Sequence, residues 1–170
     1  MTTKKALVYS LVFLVAAARL SDASMAQDVP AKLNPPVGVT MIGAYIAKGV
    51  QIYTCTTHGT AAKWSFKAPD AQLFDAKGAI FAKHYAGPTW EAVDGSSKAI
   101  GKMIETVPAP TAGAIPWLLL SAKASGRGIF AGTRFIQRIK TAGGVVAGSV
   151  CSEPGAEQRV AYSAQYVFYK

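Results

Sequence analysis

The sequence predicts a mainly β domain, an antiparallel β-sandwich or closed β-barrel of about eight short strands held by one disulfide. Three observations carry this expectation. Short segments that alternate apolar and polar residues recur between turns rich in glycine, proline and aspartate, the pattern of strands in a small β domain. No amphipathic helical period, heptad or internal repeat interrupts them. Only two cysteines occur, Cys55 and Cys151, and an even count in an exported chain reads as a single structural bridge.

Export is read from the first 26 residues. Lys4 and Lys5 precede an uncharged run from Ala6 to Ala18, and Ser24-Met25-Ala26 places small residues before a cleavage point at Gln27, the layout of a secretory signal peptide. The run is short for a membrane span, which needs about 20 apolar residues. The expectation is a periplasmic or extracellular protein without a transmembrane segment after signal removal. The remaining 144 residues suit one domain. Setting aside Lys4, Lys5, Arg19 and Asp22 leaves 15 bases against 8 acids, a net charge of +7. That excess favours anionic envelope lipids, cell-wall polymers or acidic polysaccharides as partners, and nucleic acid is not expected.

Residues 27–48, with prolines at 30, 35 and 36, read as an extended N-terminal arm, mobile or laid along the surface, ahead of a single β domain over 49–170. Val50-Gln51-Ile52-Tyr53-Thr54-Cys55 sets Val, Ile and Thr against Gln, Tyr and Cys and is the first strand. A polar turn at 56–60 leads into Lys63-Trp64-Ser65-Phe66-Lys67, completing a hairpin. Ala68-Pro69-Asp70 breaks the pattern, and Gln72-Leu73-Phe74 restarts it. Asp75-Ala76-Lys77-Gly78 is a turn with glycine at the position that needs a positive φ.

Ala79 to His84 forms the next strand. Gly87-Pro88 bends the chain, Thr89-Trp90-Glu91-Ala92 is short and extended, and Asp94-Gly95 returns Ser97 to Ile104 antiparallel to it. Prolines 108, 110 and 116 mark an irregular connection. Trp117-Leu118-Leu119-Leu120 follows as a strand buried on both faces, its length favouring strand over helix. Gly126, Gly128 and Gly132 serve a bend or bulge: no βαβ alternation surrounds them and the third glycine is misplaced for a dinucleotide fingerprint. Arg134 to Lys140 sets Phe135, Gln137 and Ile139 against Arg134, Ile136, Arg138 and Lys140, predicting a wet basic face. A Gly143-Gly144 turn precedes the closing strand, Arg159 to Tyr169, with Val160, Tyr162, Ala164, Tyr166 and Phe168 on one side.

The densest gathering of functional groups is His84 to Ser96, which joins a histidine, a tryptophan, two carboxylates and two turns in a chain with 16% charged residues. His84, Tyr85, Trp90 and Asp94 are the expected ligand-binding residues, the rings suited to stacking on a sugar or other flat ligand. An acid–base pair of His84 with Asp94 or Glu91 is the catalytic alternative, since imidazole moves protons near neutral pH. Core packing of the rings and a turn-bound histidine are the structural alternatives. His58 and His84 stand at no recognisable ligand spacing, so neither a metal nor a cofactor is expected. Lys123, Arg127, Arg134, Arg138 and Lys140, uninterrupted by acid, are the candidate contact surface for an anionic envelope polymer, with a solvated strand face as the alternative.

The segments Gly49 to Cys55, His84 to Trp90, Asp94-Gly95-Ser96, Ile115 to Leu119, Thr141 to Gly144 and Tyr162 to Tyr169 occur in an order that resembles the domain-of-unknown-function family numbered 3455, found in secreted bacterial and fungal proteins. The resemblance covers nearly all of the mature chain. It implies an exported single domain and carries no catalytic residues to these positions. Some fungal members bear a malate dehydrogenase label, an activity not transferred here because the chain has no nucleotide-binding loop. Three readings of function follow: an envelope or extracellular binding module for a small or polymeric, carbohydrate or anionic, ligand; a hydrolase or metal-assisted enzyme built on His84; and a structural envelope protein.

Overall fold

The structure, a computed structural model, describes residues 28–59 and 61–170, with the backbone alone at His58. The expected signal peptide lies outside the described residues, as does the side chain of His58. Eight strands follow in order: β1 (Met41–His58), β2 (Ala61–Phe74), β3 (Ile80–Tyr85), β4 (Thr89–Ala92), β5 (Ser97–Val107), β6 (Trp117–Gly126), β7 (Phe135–Gly143) and β8 (Glu157–Tyr169). Each pairs antiparallel with its neighbour in sequence, and β1 pairs with β8 from Met41 opposite Tyr169 to Thr54 opposite Glu157. The sheet therefore closes into an up-and-down barrel, which decides between the two expected β architectures.

Alternation places the interior. On β8, Tyr162, Ala164, Tyr166 and Phe168 are buried in the main core, as the sequence pattern implies. On β1 the inward residues include Ala47 and Gln51, so the Gln-Tyr-Cys side of the first predicted strand faces in and Val50 and Ile52 face out. A Cβ at Gly49 would overlap the backbone of Ala71, so only glycine lets β1 and β2 approach there.

Two boundaries differ from the sequence reading. β1 starts at Met41, within the segment expected to be an extended arm, because β8 supplies a pairing partner for a stretch whose Gly43 and Lys48 are poor strand formers. β2 continues through Ala68-Pro69-Asp70, where a break was expected. Lys67 is accommodated as a bulge between the pairs Tyr53 with Phe66 and Ile52 with Ala68. β3 pairs only with Ala71 to Phe74, so at Pro69 the β3 side of β2 needs no amide hydrogen.

Up-and-down topology puts the β1–β2, β3–β4, β5–β6 and β7–β8 connections at one end, and the remaining connections with both ends of the domain at the other. That second end is filled. The β6–β7 loop turns Phe130 into the barrel, its amide donating to Ser97 Oγ at 3.1 Å, against Phe81 and Phe168. Gly126 enters this loop at φ +84°, and a Cβ there would strike the backbone of Ser96 and Ser97, so the glycines do serve a bend. The first end is crossed by the β7–β8 connection, which passes Gly144 under the Tyr53 hydroxyl (2.7 Å) and joins the free edge of β2 where Val150 bridges Lys63. Cys151 in this connection is bonded to Cys55 at the far end of β1, with the Cα atoms 5.9 Å apart. The bridge thus ties β1 to the β7–β8 connection.

A second, smaller core lies outside the barrel. Residues 28–40 fold a single 3-10 turn, Ala31–Leu33, and Leu33 is wholly buried among Val107, Trp117, Leu119, Ile139 and Val167. Gln137 anchors it: its Nε2 donates to the Leu33 carbonyl at 2.6 Å, and its Oε1 accepts from the Tyr169 hydroxyl at 2.6 Å. The arm is therefore packed on the surface.

Two stability outcomes follow. Leu33→Ala lowers the unfolding free energy by about 3 kcal/mol, the usual cost of emptying a well-packed leucine site. The double substitution Cys55→Ser with Cys151→Ser lowers it by roughly 4 kcal/mol on the chain-entropy account of a long closed loop. Urea unfolding followed by tryptophan fluorescence reads both.

Candidate functional site

The site is built on the β3–β4 hairpin. His84 and Trp90 are cross-strand partners whose side chains both point inward, and their rings stack at 4.3 Å with planes 8° apart. The turn at Ala86-Gly87-Pro88, with Gly87 at φ +111° and Thr89 Oγ1 bonded to the Ala86 carbonyl, returns the Thr89 carbonyl to 2.9 Å from His84 Nδ1. A carbonyl only accepts, so Nδ1 carries the proton and Nε2 is left as an acceptor. Tyr166 from β8 meets both rings edge-on, at 5.1 and 5.2 Å. This aromatic group forms the floor of a cavity of about 510 Å³ in the half of the barrel nearest the first end.

The remaining wall is assembled from elements far apart in sequence. Gln51 and Tyr53 come from β1, Phe66 and Pro69 from the free edge of β2, Met103 and Thr106 from β5, and Leu118 and Leu120 from β6. Ile115, Pro116, Arg138 and, from β2, Lys67 line it as well. Arg138 corrects the sequence reading of β7. Ile136, on the same face, is fully buried in the barrel and Arg138 is half-buried at the cavity, so only Arg134 and Lys140, at the two ends of the predicted stretch, keep the wet basic character expected of this face. The opposite face, with Gln137 and Ile139, is buried as well, because the N-terminal segment packs over it. Lys123, Arg127, Arg134 and Lys140 are exposed, but Arg138 is turned away from them. Arg134 stands beside Ala122 through the bond from the Ala122 amide, so Lys123, Arg127 and Arg134 share the filled end.

Burial governs the electrostatics. His84, 2% exposed, is driven by desolvation to a pKa of about 3, with the Arg138 charge acting the same way and the Thr89 hydrogen bond opposing both. The ring is neutral at physiological pH. Tyr162 and Tyr166 are pushed up, chiefly by burial.

Of the residues expected to share a site, the structure brings together His84 and Trp90. Tyr85 faces outward, its hydroxyl donating to Glu91 Oε2 at 2.5 Å, while Lys98 lies 3.1 Å from Glu91 Oε1. The Tyr85 bond, then Lys98, holds the Glu91 carboxyl below its usual range. Asp94 accepts from the Ser96 amide at 2.9 Å in the β4–β5 turn, at the opposite end of the barrel from the Ala86–Pro88 turn, and Ser96 holds its pKa down. Neither carboxylate bonds to His84, so the expected acid–base pair is not made. Among the described residues no group of three or more His, Cys, Asp and Glu is placed to hold a metal ion.

Gln51, Tyr166, Leu118 and Leu120 were not read as site residues, and Arg138 was read as part of an outer anionic contact surface rather than of the cavity. The signal for Gln51 was its place on the side of β1 that carries the half-cystine; that for Arg138 was Ile136, an apolar residue set between basic ones on a supposedly wet face.

His84 makes stability depend on pH. Its folded pKa lies below the ordinary 6.5, so as pH falls the unfolded chain takes up the proton first and stability is lost through the window from about 6.5 towards about 3. The part above 4.5, the ordinary value for Glu91, precedes protonation of Glu91 and Asp94. Unfolding free energy should fall by about 2 to 3 kcal/mol between pH 6.5 and 4.5. His84→Gln should flatten that slope in urea titrations repeated across the window.

No curated protein and no solved structure matches the chain. A family described as Protein of unknown function (DUF3455) matches residues 35–170, a span that includes all eight strands, the disulfide and every cavity residue named above. The chain belongs to that family, whose shared segment here is the closed barrel together with its internal cavity.

Proposed function

We propose that this protein is an exported, non-enzymatic binding module that holds a small, largely apolar molecule inside its barrel. The observation that carries this reading is the cavity of about 510 Å³, walled mostly by apolar and aromatic side chains with a few polar groups among them. That volume and composition are typical of small-molecule sites, which span roughly 300 to 1,000 Å³. Eight-stranded barrels have room for packed side chains or for one small ligand, and here half the interior is packed and half is open. The barrel alone is shared by many functions, so the wall is what supports the reading.

Two wall residues sharpen it. Gln51 and Trp90 each bury a donor nitrogen: that of Trp90 has no partner among the described residues, and that of Gln51 has only the nearby Tyr162 hydroxyl, at less than good hydrogen-bond geometry. An unpaired buried donor costs about 1 to 3 kcal/mol, and a ligand bringing an acceptor would offset that cost. His84 adds one acceptor, Nε2, fixed by the bond at Nδ1. The signal-peptide layout of the first 26 residues supports a place for this activity outside the cytoplasm. The hydrolase alternative gains no support, because Glu91 is bonded to Tyr85 on the outer face and Asp94 lies in a turn at the opposite end of the barrel.

Titration with N-phenyl-1-naphthylamine, a neutral dye that brightens in apolar surroundings, tests this. The wild type should show saturable one-site binding. Leu118→Trp, which fills the wall, and Thr106→Trp, which narrows the exposed mouth, should each weaken binding by about tenfold or more, or 1.4 kcal/mol. Absence of saturable binding in the wild type, or undiminished binding in both folded variants, rejects the proposal.

A further inference from the structure

Two cations line the cavity, and they are not equivalent. Lys67 is paired with Glu157. Arg138 has no carboxylate partner among the described residues, whose ion pairs are Lys67 with Glu157, Lys98 with Glu91, and Arg159 with Asp70. What holds Arg138 is a neutral group: its Nε and Nη2 both donate to the Pro116 carbonyl, at 3.1 and 2.9 Å.

That fork orients the guanidinium without neutralising it. It occupies the edge between Nε and Nη2; the other neighbour within reach of the guanidinium, the Tyr166 hydroxyl, is neutral too, so the edge between Nη1 and Nη2, with its two parallel N–H groups, meets no negative charge from the described residues. A planar carboxylate accepts both at once, and such bidentate charge-assisted bonds are the strongest this side chain makes. The charge is also felt within the cavity. Burial dominates the titration of His84, Tyr162 and Tyr166, and the Arg138 charge acts on all three.

From the oriented, unpaired guanidinium at one wall and the apolar surface of Leu118, Leu120 and Trp90 beside it, we infer that the ligand is an amphipathic anion: one carboxylate seated on Arg138, its apolar body inside the barrel. This rests on the binding reading above and adds the chemistry of the ligand's head group. It also accounts for the turning of Arg138 away from the exposed bases. A cation needed only for solubility gains nothing from lining a largely apolar cavity, whereas one that meets an anion there acts with less screening than on the open surface.

The experiment displaces N-phenyl-1-naphthylamine with dodecanoate and with dodecanol, which share a chain and differ in the head. Wild-type protein should release the dye at about tenfold or more lower dodecanoate than dodecanol, in line with a hydrogen bond to a charged group. In Arg138→Gln the acid and the alcohol should displace the dye at concentrations within about threefold of each other, whatever the variant's own dye affinity, and Arg138→Lys should keep part of the preference. Dye binding with equal displacement by acid and alcohol overturns the inference and leaves the binding reading standing. Retention of the acid preference in Arg138→Gln also overturns it. Failure of the wild type to bind dye removes both. Should Arg138→Gln not fold, the wild-type comparison and Arg138→Lys decide.

Discussion

The pairing of β1 with β8 is the constraint from which the rest of this molecule follows. Thirteen residue pairs, from Met41 with Tyr169 to Thr54 with Glu157, join the first strand to the last and turn an eight-stranded meander into a closed wall. Closure removes the edges that an open sheet exposes at its first and last strands. It also creates an inside, so every second residue on every strand is committed either to a shared interior or to the outer surface.

The interior is used unequally. Towards the filled end, Tyr45, Phe81, Phe130 and Phe168 meet at ring-centroid distances of 4.5 to 6.3 Å, and the loop carrying Phe130 closes the barrel. Towards the other end the strands of the wall no longer pair all round. β3 stops opposite Ala71 and β4 is only four residues long, while β1 and β2 run on for 18 and 14 residues. That mismatch leaves the outer half of β2 without its strand neighbour and gives the cavity its room between Pro69 and the Ala86–Pro88 turn. The disulfide holds the β7–β8 connection across this same end, so the covalent staple and the cavity share one region of the fold.

Much of the architecture was legible in the chain. Asp94-Gly95, Gly87-Pro88 and Asp75 to Gly78 lie at turns, and the aromatic alternation of 160–168 faces inward. The pairing of Cys55 with Cys151 was legible too, since there were only two thiols to join. Errors arose where a local preference met a tertiary partner. Pro69 sits within a strand because its β3-side neighbour is missing, and residues 41–48 are strand because β8 lies beside them. The site was read in part. His84 and Trp90 share a wall because they are cross-strand neighbours on one face, whereas Tyr85 and Asp94, near them in sequence, lie on the outer face and at the far end.

By itself, the sequence determined that this would be a β domain, where its main turns fall, and that its two cysteines join, because turn chemistry, side-chain alternation and a supply of two thiols are properties of short segments or simple counts. Tertiary structure alone decided that the sheet closes rather than stacks, that Arg138 and Gln51 join His84 around one cavity, and that Glu91 and Asp94 do not. Those outcomes depend on strand register and barrel closure, which bring together residues up to 115 positions apart, such as Gln51 and Tyr166, and no local pattern encodes such a meeting.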